Sequence, residues 1–432
     1  MKYVLVQADG MPDRPIEQLD NQTPLEFAQT FFMDQLAKDS VIGTVNHIPK
    51  GLKSGSDVGN LSVLGYNPRD FFTGRSPLEA SSLGLKLEDT DVAYRCNLVQ
   101  ISSTNNNNIM SDYSAGHIEN SIAKELVSFL KDAIDDNSFK LFAGVSYRHI
   151  LVWKQGSVEP TTIPPHDITG QNIKDFTPTG PGSEKLIFIM EKARKKIMEF
   201  KDRNEKYKNL SCNNIWLWGQ GKKTILPSFQ SINKMTGSVI SAVDLVKGIG
   251  KCADLDVIDV PGATGYLDTN YKGKVDAVLH SLNKHDFSMI HIEAPDETGH
   301  EGDVKKKIRA IEDLDEKVIR PLIEGLKSNY KEFKICIVSD HPTPIELKTH
   351  SYEYVPFMIY DSRKSINNHN EKQFSEKIAN KSDLRIEMGT LYLLVFLLIN
   401  LALLHNSSSD KCSNLLLSST NKFALLVNLS EL

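Results

Sequence analysis

The chain has 432 residues, of which 40% are hydrophobic and 24% are charged, as in an ordinary globular protein. This length exceeds what a single hydrophobic core usually serves, so we expect two domains. The formal net charge of −5, from 50 basic and 55 acidic residues, argues against a general nucleic-acid-binding protein. The five cysteines are scattered and form no Cys-x-x-Cys pair. That pattern favours the reducing cytoplasm over a disulfide framework or a zinc ribbon.

Three apolar segments read as buried strands that end in polar loops, namely residues 2–10, 287–296 and 333–341. Residues 302–329, between the last two, carry apolar side chains every three or four positions, which indicates an amphipathic helix. We expect its lysines, including Lys307, largely on the solvent-facing side. A strand, a crossover helix and a second strand are typical of a parallel sheet. The sequence therefore predicts an α/β fold with a mostly parallel sheet flanked by helices.

The middle of the chain differs in composition and indicates an inserted domain. An Asn run, a Pro/Gly stretch and a highly charged helical segment follow one another there, at residues 105–108, 177–183 and 191–209. We expect a smaller inserted α/β domain at 81–234, with 1–80 and 235–388 forming one discontinuous domain.

A Leu-, Ser- and Asn-rich tail is expected over residues 389–432. Its most apolar stretch, residues 391–404, is shorter than the roughly 20 residues that cross a bilayer. We therefore expect no membrane span.

Carboxylate and imidazole side chains follow each of the three predicted strands. They are Asp9 after the first, Asp296 and His300 after the second, Asp340 and His341 after the third, and His350 further along. Taken singly, each is more often a turn residue or a satisfied histidine. Together they predict a metal site, because the carboxyl ends of parallel strands meet at one edge of a sheet and clustered carboxylates need a cation. Three Asp and three His suffice for two divalent ions, which can stabilise an in-line phosphoryl transfer.

Ser56 is the candidate nucleophile for such a transfer. It lies in Gly-Ser-Asp-Val-Gly-Asn, residues 55–60, where a helix start would let its hydroxyl and nearby backbone N–H groups reach a phosphate. By spacing alone, an N-cap of the helix that follows is the more common role of such a serine. The residues themselves leave both interpretations open.

A series of motifs carries a resemblance to a known family. In order they are QADGMPDRPIEQLDNQTPLEFA, GSDVGNLSVLGYNPRDFFTGRSPLEA, DYSAGHI, GVSYRHILV, IWLWGQG, SAVDLVKGIG, VPGATGYLDTNY, EAPDETGH and SDHPTPIELKTH. The chain resembles the archaeal-type 2,3-bisphosphoglycerate-independent phosphoglycerate mutases of the alkaline phosphatase superfamily, over about residues 2–388. The resemblance implies an alkaline-phosphatase-like core and interconversion of 3-phosphoglycerate and 2-phosphoglycerate through a phosphoserine, with no 2,3-bisphosphoglycerate.

The resemblance also implies two divalent cations, Mn²⁺, Co²⁺, Mg²⁺ or Zn²⁺, and assigns their ligands. One ion would be held by Asp9, Ser56, Asp340 and His341. The other would be held by Asp296, His300 and His350. Ser56 is then both the nucleophile and a ligand.

The inserted domain is expected to cover the site, exclude water and hold an acidic substrate. Guanidinium groups suit that task. The candidates inside matching motifs are Arg75, Arg95, His117 and Arg148, and His166 with Asp167 could move a proton between the glycerate hydroxyls. Surface ion pairs for the arginines and a loop turn for His166-Asp167 are the alternatives.

Two further functions are weighed against a mutase. A metal-dependent phosphatase, or another phosphotransferase of the superfamily, would use the same metal scaffold, but would not need the insert motifs DYSAGHI, SYRH and PPHD. A non-catalytic binding protein, docking to a partner or membrane through its tail, predicts a broken site, yet every proposed ligand is present. The mutase is favoured.

Overall fold

The structure, a computed structural model, describes residues 1–104, 107–203, 205–363 and 373–398. Within these residues the chain divides into two compact units, one formed by Met1–Phe72 with the chain from Leu226 onward, the other by Thr73–Ile225. The insert was expected at 81–234. The second unit begins earlier than that because the helix after Gly74 packs on its small sheet, where Ala80 contacts the core around Ala93 and Val152.

The strands, in chain order, are β1 (Lys2–Ala8), β2 (Ser40–Val45), β3 (Val92–Thr104), β4 (Asn107–Asp112), β5 (Phe139–Val145), β6 (Arg148–Trp153), β7 (Asn214–Lys222), β8 (Gly237–Ile240), β9 (Asp256–Ile258), β10 (Phe287–Ile292), β11 (Phe333–Val338), β12 (Val355–Asp361) and β13 (Arg385–Ile386).

The α-helices are α1 (Pro24–Phe27), α2 (Phe31–Lys38), α3 (Ser56–Val63), α4 (Pro68–Phe71), α5 (Arg75–Ser82), α6 (Asn120–Ile134), α7 (Ser183–Arg203), α8 (Phe229–Asn233), α9 (Asp244–Cys252), α10 (Tyr271–Ser281), α11 (Ala294–Glu301), α12 (Val304–Leu314), α13 (Arg320–Asn329), α14 (Glu376–Ala379) and α15 (Gly389–Leu398). Short 3-10 turns lie at Glu17–Leu19, Pro165–Ile168, Ile173–Asp175 and Glu205–Tyr207.

The first unit is built on a sheet with the strand order β13-β2-β12-β11-β1-β10-β8-β9. Only β12 runs against its neighbours, so the predicted mostly parallel sheet flanked by helices is confirmed. Strand β1 lies between β10 and β11, and all three are parallel. Their apolar side chains are buried because helices cover both faces of such a sheet. The carboxyl ends of these strands therefore meet along one edge.

The predicted amphipathic helix at 302–329 is confirmed as α12 and α13, joined by a π-helical turn at Asp315–Ile319. The expectation that Lys307 faces solvent was wrong. Its side chain is fully buried and forms an ion pair with Asp13, Nζ to Oδ2 2.8 Å. An apolar pattern assigns a helix face only approximately, and here a buried carboxylate draws the lysine inward.

The second unit has an antiparallel sheet with the strand order β4-β3-β6-β5, and β7 also pairs with β3. Helices α6 and α7 pack against each other, α6 also on β5 and α7 on β7. Leu98, Leu126 and Trp216 are fully buried in its core. Of the charged helix expected at 191–209, residues 191–203 belong to α7, which starts earlier, at Ser183, and ends at Arg203.

The part of the tail that the structure describes is α15, which packs against α3 in the first unit. Its Tyr392 and Phe396 are fully buried, so these residues are part of a core. The remainder of the tail expected at 389–432 lies outside the described residues. No helix in the described ranges combines the length and the hydrophobicity that a bilayer crossing requires.

Candidate metal centre

The ends of β1, β10 and β11 bring the predicted ligands together in the first unit. Asp9 directly follows β1, and Asp340 follows β11. Asp296 lies in the first turn of α11, which starts two residues after β10. Gly10, with φ +60°, is the residue that lets Asp9 and Asp296 approach, because an added Cβ would collide with the Asp296 carboxylate.

Ser56 is the first residue of α3, and Gly55 is the N-cap. The interpretation of Ser56 as a capping residue was therefore wrong, and its side chain instead reaches His341, Oγ to Nε2 3.1 Å. The second glycine of the motif, Gly59, makes this possible, because a Cβ there would lie 2.7 Å from Asp340 Cβ. Asn60 ties the helix to the site by donating from Nδ2 to the Ser56 carbonyl at 2.8 Å and to Asp340 Oδ2 at 3.1 Å.

One group of ligands centres on His341. Its Nε2 lies 3.3 Å from Asp340 Oδ2 and 3.8 Å from Asp9 Oδ1. The three side chains are fully buried or nearly so. With Ser56, they are the four residues predicted to hold one ion, and the structure brings all four together.

The other group consists of Asp296, His300 and His350. His300 Nε2 lies 3.2 Å from Asp296 Oδ2, and His350 Nε2 lies 3.7 Å from Asp296 Oδ1. The Nδ1 atom of His300 faces the Lys348 carbonyl at 3.0 Å, and that of His350 faces the Ser54 carbonyl at 3.4 Å. Carbonyls accept only, so each Nδ1 donates, and in the neutral form each imidazole presents its Nε2 lone pair to the site.

Burial and mutual repulsion perturb the carboxylates. Burial, followed by the charges of Asp340 and Asp296, raises the pKa of Asp9 well above its usual value. Burial likewise raises the pKa of Asp340 to about 6. Burial would also raise the pKa of Asp296, but His300 and His350 outweigh it and hold that pKa below the usual value. Three carboxyl groups packed this closely favour a positive charge among them.

The imidazoles respond in opposite directions. Burial lowers the pKa of His341 and of His350 to about 4, so both are neutral near pH 7. Burial would also lower the pKa of His300, but Asp296 outweighs it and raises that pKa to about 9. Neutral imidazoles are the form that ligates a metal, so a cation bound to His300 would displace its Nε2 proton.

These residues fit divalent cations. The Oδ1 atoms of Asp9 and Asp340 are buried, and no hydrogen-bond donor among the described residues reaches them. The Nε2 atoms of His300 and His350 are 3.0 Å apart, and both face the Asp296 carboxylate, so all three side chains could bind one cation. Two sets of three side chains each have ligand atoms that all lie within 4.8 Å of one another. One set is Asp296, His300 and His350, and the other is Asp9, Asp296 and His341. Oxygen and imidazole donors in this mixture suit Mn²⁺, Co²⁺, Zn²⁺ or Mg²⁺.

Several residues that support these ligands were not predicted from the sequence. His291 contacts Asp9, Thr343 donates from Oγ1 to Asp296, and Lys307 donates from Nζ to the Thr343 carbonyl at 2.8 Å. Asn60 could have been found, because it stands one helical turn after Ser56. His291 gave no comparable signal, since a histidine inside an apolar strand is usually a core residue.

Three predicted substrate-binding arginines gather within the second unit. Arg75 donates from Nε to Glu79 Oε1 at 2.8 Å, and Arg95 donates from Nη1 to the same oxygen. The charges of Arg95, Arg75 and Arg148 lower the pKa of Glu79 despite its burial. Arg95 is itself buried, and burial lowers its pKa to about 10, so it stays charged near pH 7. Three guanidinium groups around one carboxylate leave an excess of positive charge.

The predicted histidines of the second unit are joined to this cluster by aromatic side chains. The rings of His166 and Trp218 are 5.3 Å apart, and the guanidinium groups of Arg75 and Arg95 lie 5.8 and 5.2 Å from the Trp218 ring. The ring of Tyr147 likewise lies 5.9 Å from His117 and 5.5 Å from the Arg148 guanidinium. Asp167 lies 3.6 Å from His166, Oδ1 to Nε2, and both are exposed. The structure thus brings five of these six candidates into one network of side chains with Asp167 at its edge.

Comparisons with known proteins agree with this fold. A family model described as 2,3-bisphosphoglycerate-independent phosphoglycerate mutase matches residues 37–201. A probable mutase of this name from Geobacter sulfurreducens is 45% identical over 392 residues, covering 90% of this chain and 98% of that protein. The Methanothrix thermoacetophila mutase is 47% identical over 365 residues, covering 84% and 91% of the two chains.

Solved structures are similar as well. The PH0037 protein from Pyrococcus horikoshii superposes with a TM-score of 0.75 at 27% identity, over 91% of this chain and 96% of that one. A cofactor-independent phosphoglycerate mutase from Thermoplasma acidophilum gives a TM-score of 0.59 at 26% identity, over 92% and 99%. The resemblance read from the motifs is confirmed, and the chain belongs to the 2,3-bisphosphoglycerate-independent phosphoglycerate mutase family.

Proposed function

We propose that this protein interconverts 3-phosphoglycerate and 2-phosphoglycerate without 2,3-bisphosphoglycerate, through a phosphoserine on Ser56 and with two divalent cations. The observation that carries the proposal is the position of Ser56 Oγ, 3.1 Å from His341 Nε2, among buried carboxylates that fit cations. Membership of a family whose relatives are named phosphoglycerate mutases supports the same reaction.

The proposed ligands are those predicted from the motifs. One ion is assigned to Asp9, Ser56, Asp340 and His341, and the other to Asp296, His300 and His350. Bound there, divalent cations supply Lewis acidity that lowers the pKa of a serine hydroxyl and neutralises phosphoryl charge.

The chain itself positions the nucleophile and provides a local electrostatic field. Ser56 stands at the N-terminus of α3, where the helix dipole favours an anionic phosphoryl group. Asn60 holds the first turn of that helix against Asp340. The nucleophile therefore needs little reorganisation before attack.

The reaction balances as two transfers of one phosphoryl group. Ser56 Oγ loses its proton and attacks the phosphorus of 3-phosphoglycerate, and the bond from phosphorus to the C3 oxygen breaks. The C3 oxygen takes up a proton, leaving glycerate and phosphoserine. The C2 hydroxyl of the same glycerate then loses its proton and attacks the phosphoserine, releasing 2-phosphoglycerate and restoring Ser56.

Glycerate must stay bound between the two transfers, and we assign that task to the cluster in the second unit. Arg75, Arg95 and Arg148 would hold the carboxylate and phosphate groups of the substrate, since paired guanidinium groups match such oxyanions. His117 would add a further contact. His166 with Asp167 would carry the proton between the C3 and C2 oxygens.

The test is an assay of Mn²⁺-loaded protein on 3-phosphoglycerate in the absence of 2,3-bisphosphoglycerate, with 2-phosphoglycerate and inorganic phosphate both measured. We expect isomer and almost no phosphate. The Ser56→Ala variant should lose turnover by about 10³-fold or more, because the covalent step has no other nucleophile.

Ser62→Ala is the matched control on the same helix. Its hydroxyl donates to the His47 carbonyl at 2.6 Å and does not reach the ligands, so turnover should remain near the parent value. Near-normal isomer formation by Ser56→Ala would contradict the phosphoserine. Phosphate in place of isomer from the parent protein would make it a phosphatase.

A further inference from the structure

His291 contacts a proposed metal ligand but belongs to neither predicted ligand set. It lies on β10 with its side chain fully buried. Its Nε2 is 2.7 Å from Asp9 Oδ2, and its Nδ1 is 3.1 Å from Ser241 Oγ. The other Asp9 oxygen, Oδ1, faces His341 Nε2 at 3.8 Å. The two oxygens of one carboxylate thus point to different neighbours.

The hydrogen bonds around His291 indicate which of its nitrogens carries the proton when Asp9 binds a cation. Ser241 Oγ already accepts from the Val243 N–H at 3.0 Å, so its own hydroxyl hydrogen is available for His291 Nδ1. Asp9 must be ionised to bind a cation, so its Oδ2 needs a donor. A neutral imidazole that accepts at Nδ1 donates at Nε2, and both requirements are met by one tautomer.

We propose that His291 is a positioning residue that holds Asp9 Oδ2 and so reserves Asp9 Oδ1 for the cation, with Ser241 selecting the tautomer. This rests on the proposed metal centre. The Lys274 ammonium donates to the His291 carbonyl at 3.1 Å, which anchors the backbone of His291. With one carboxylate oxygen bonded to His291 and its backbone N–H donating to the Ile292 carbonyl at 2.9 Å, Asp9 has few orientations to lose when a cation binds.

The proposal predicts an asymmetric effect on the two cation sites. His291 contacts the ligand set that contains Asp9, and no hydrogen bond or ion pair recorded among the described residues joins it to His300 or His350. Removing the donor should lower the affinity for one cation by about 10- to 100-fold, as the loss of a hydrogen-bond partner of a metal ligand does in other proteins. The second cation should bind as before. A general loss of stability would weaken both.

The experiment is a titration of metal-free, full-length protein with Mn²⁺, in which calorimetry measures the affinity of each site. It compares the parent with the variants His291→Leu, His291→Gln and Ser241→Ala. Leu removes both nitrogens, whereas Gln keeps a donor near the Nε2 position. We expect His291→Leu to lower the Mn²⁺ affinity of one site by about 10- to 100-fold. The affinity of that site in His291→Gln should be close to the parent value, and in Ser241→Ala it should lie between those of the two His291 variants.

Ser238→Ala is the matched control for Ser241→Ala. Ser238 is another buried serine, on β8, and it bonds to Ser281 and Ser288 instead of His291. Both Mn²⁺ affinities should be unchanged. Circular dichroism checks that each variant is folded, and if His291→Leu does not fold, His291→Gln and Ser241→Ala decide between the outcomes through the affinity of the one site.

Three results would overturn the proposal. The first is a folded His291→Leu variant with both affinities within twofold of the parent. The second is a His291→Gln variant as impaired as His291→Leu, because the donor would then not matter. The third is a parent protein that binds no Mn²⁺, which would overturn the metal centre as well and is thereby distinguished from the other two.

Discussion

Replacing Lys307 by Met should destabilise the first unit strongly. The lysine ammonium donates to Asp13 Oδ2 at 2.8 Å, to the Thr343 carbonyl at 2.8 Å and to the Pro12 carbonyl at 3.4 Å. Both charged side chains are at most 1% exposed. Met fills the space of the lysine stem but leaves the Asp13 charge buried without its cation.

Breaking a buried ion pair from one side costs about 3–5 kcal/mol, which is a large fraction of a typical folding free energy of about 5–15 kcal/mol. For a domain of this size we expect the thermal midpoint to fall on the order of 10 °C. The measurement is thermal and urea unfolding of the parent and variant, followed by circular dichroism.

Two further variants isolate the cause. Lys306→Met removes the neighbouring lysine, whose ion pair with Glu301 lies at the surface, and should change little. Adding Asp13→Asn to Lys307→Met should restore part of the loss, because the unpaired charge disappears. A Lys307→Met midpoint equal to that of Lys306→Met would refute the reasoning, and so would a double variant less stable than Lys307→Met alone.

Three other outcomes are expected. Glu79→Gln should raise the KM for 3-phosphoglycerate about tenfold with a smaller change in kcat, because Arg75 and Arg95 lose their charged hydrogen-bond partner. The control Glu88→Gln, at an exposed position, should leave KM unchanged. Equal KM values for the two variants would contradict the role of the cluster. Burial raises the pKa of Glu376 from its usual 4.5 to about 7, so the folded state binds the extra proton and the free energy of unfolding should fall as pH rises through that window. In Glu376→Gln this pH-dependent decrease in the free energy of unfolding should be smaller than in the parent, by at most about 3 kcal/mol. Urea unfolding of both proteins at pH 5 and pH 8 measures it, and an equal decrease in both would contradict the prediction. Chelation should abolish activity and lower the thermal midpoint, because a cation at 100 times its Kd contributes about 2.7 kcal/mol, and Mn²⁺ should restore both; activity that survives a strong chelator would exclude the metal centre.

Much of the first unit could be predicted because its signals are local in the chain. Each of β1, β10 and β11 is a short apolar run followed at once by Asp9, the Asp296 turn or Asp340. Parallel pairing then brings those chain positions to one edge whatever the loops between them do. The helix at 302–329 follows from its apolar period alone.

The motifs could not assign roles that depend on which neighbour a side chain meets. Spacing favoured Ser56 as an N-cap, yet Gly55 holds that position and Ser56 turns toward His341. The same limit applies to Glu79, which no pattern singled out and which bonds two of the predicted arginines.

By itself, the order of residues determined the parallel sheet, the proposed ligands and the family, because strand ends and motifs are properties of short segments. Only the tertiary structure decided the direction of Lys307, the hydrogen-bond partners of His291 and the partners of the arginines. Each of these depends on a charge or a hydrogen bond from a residue distant in the chain, such as Asp13 or Ser241. The free energy of burying a polar group is set by that partner, and the partner is known only once the chain has folded.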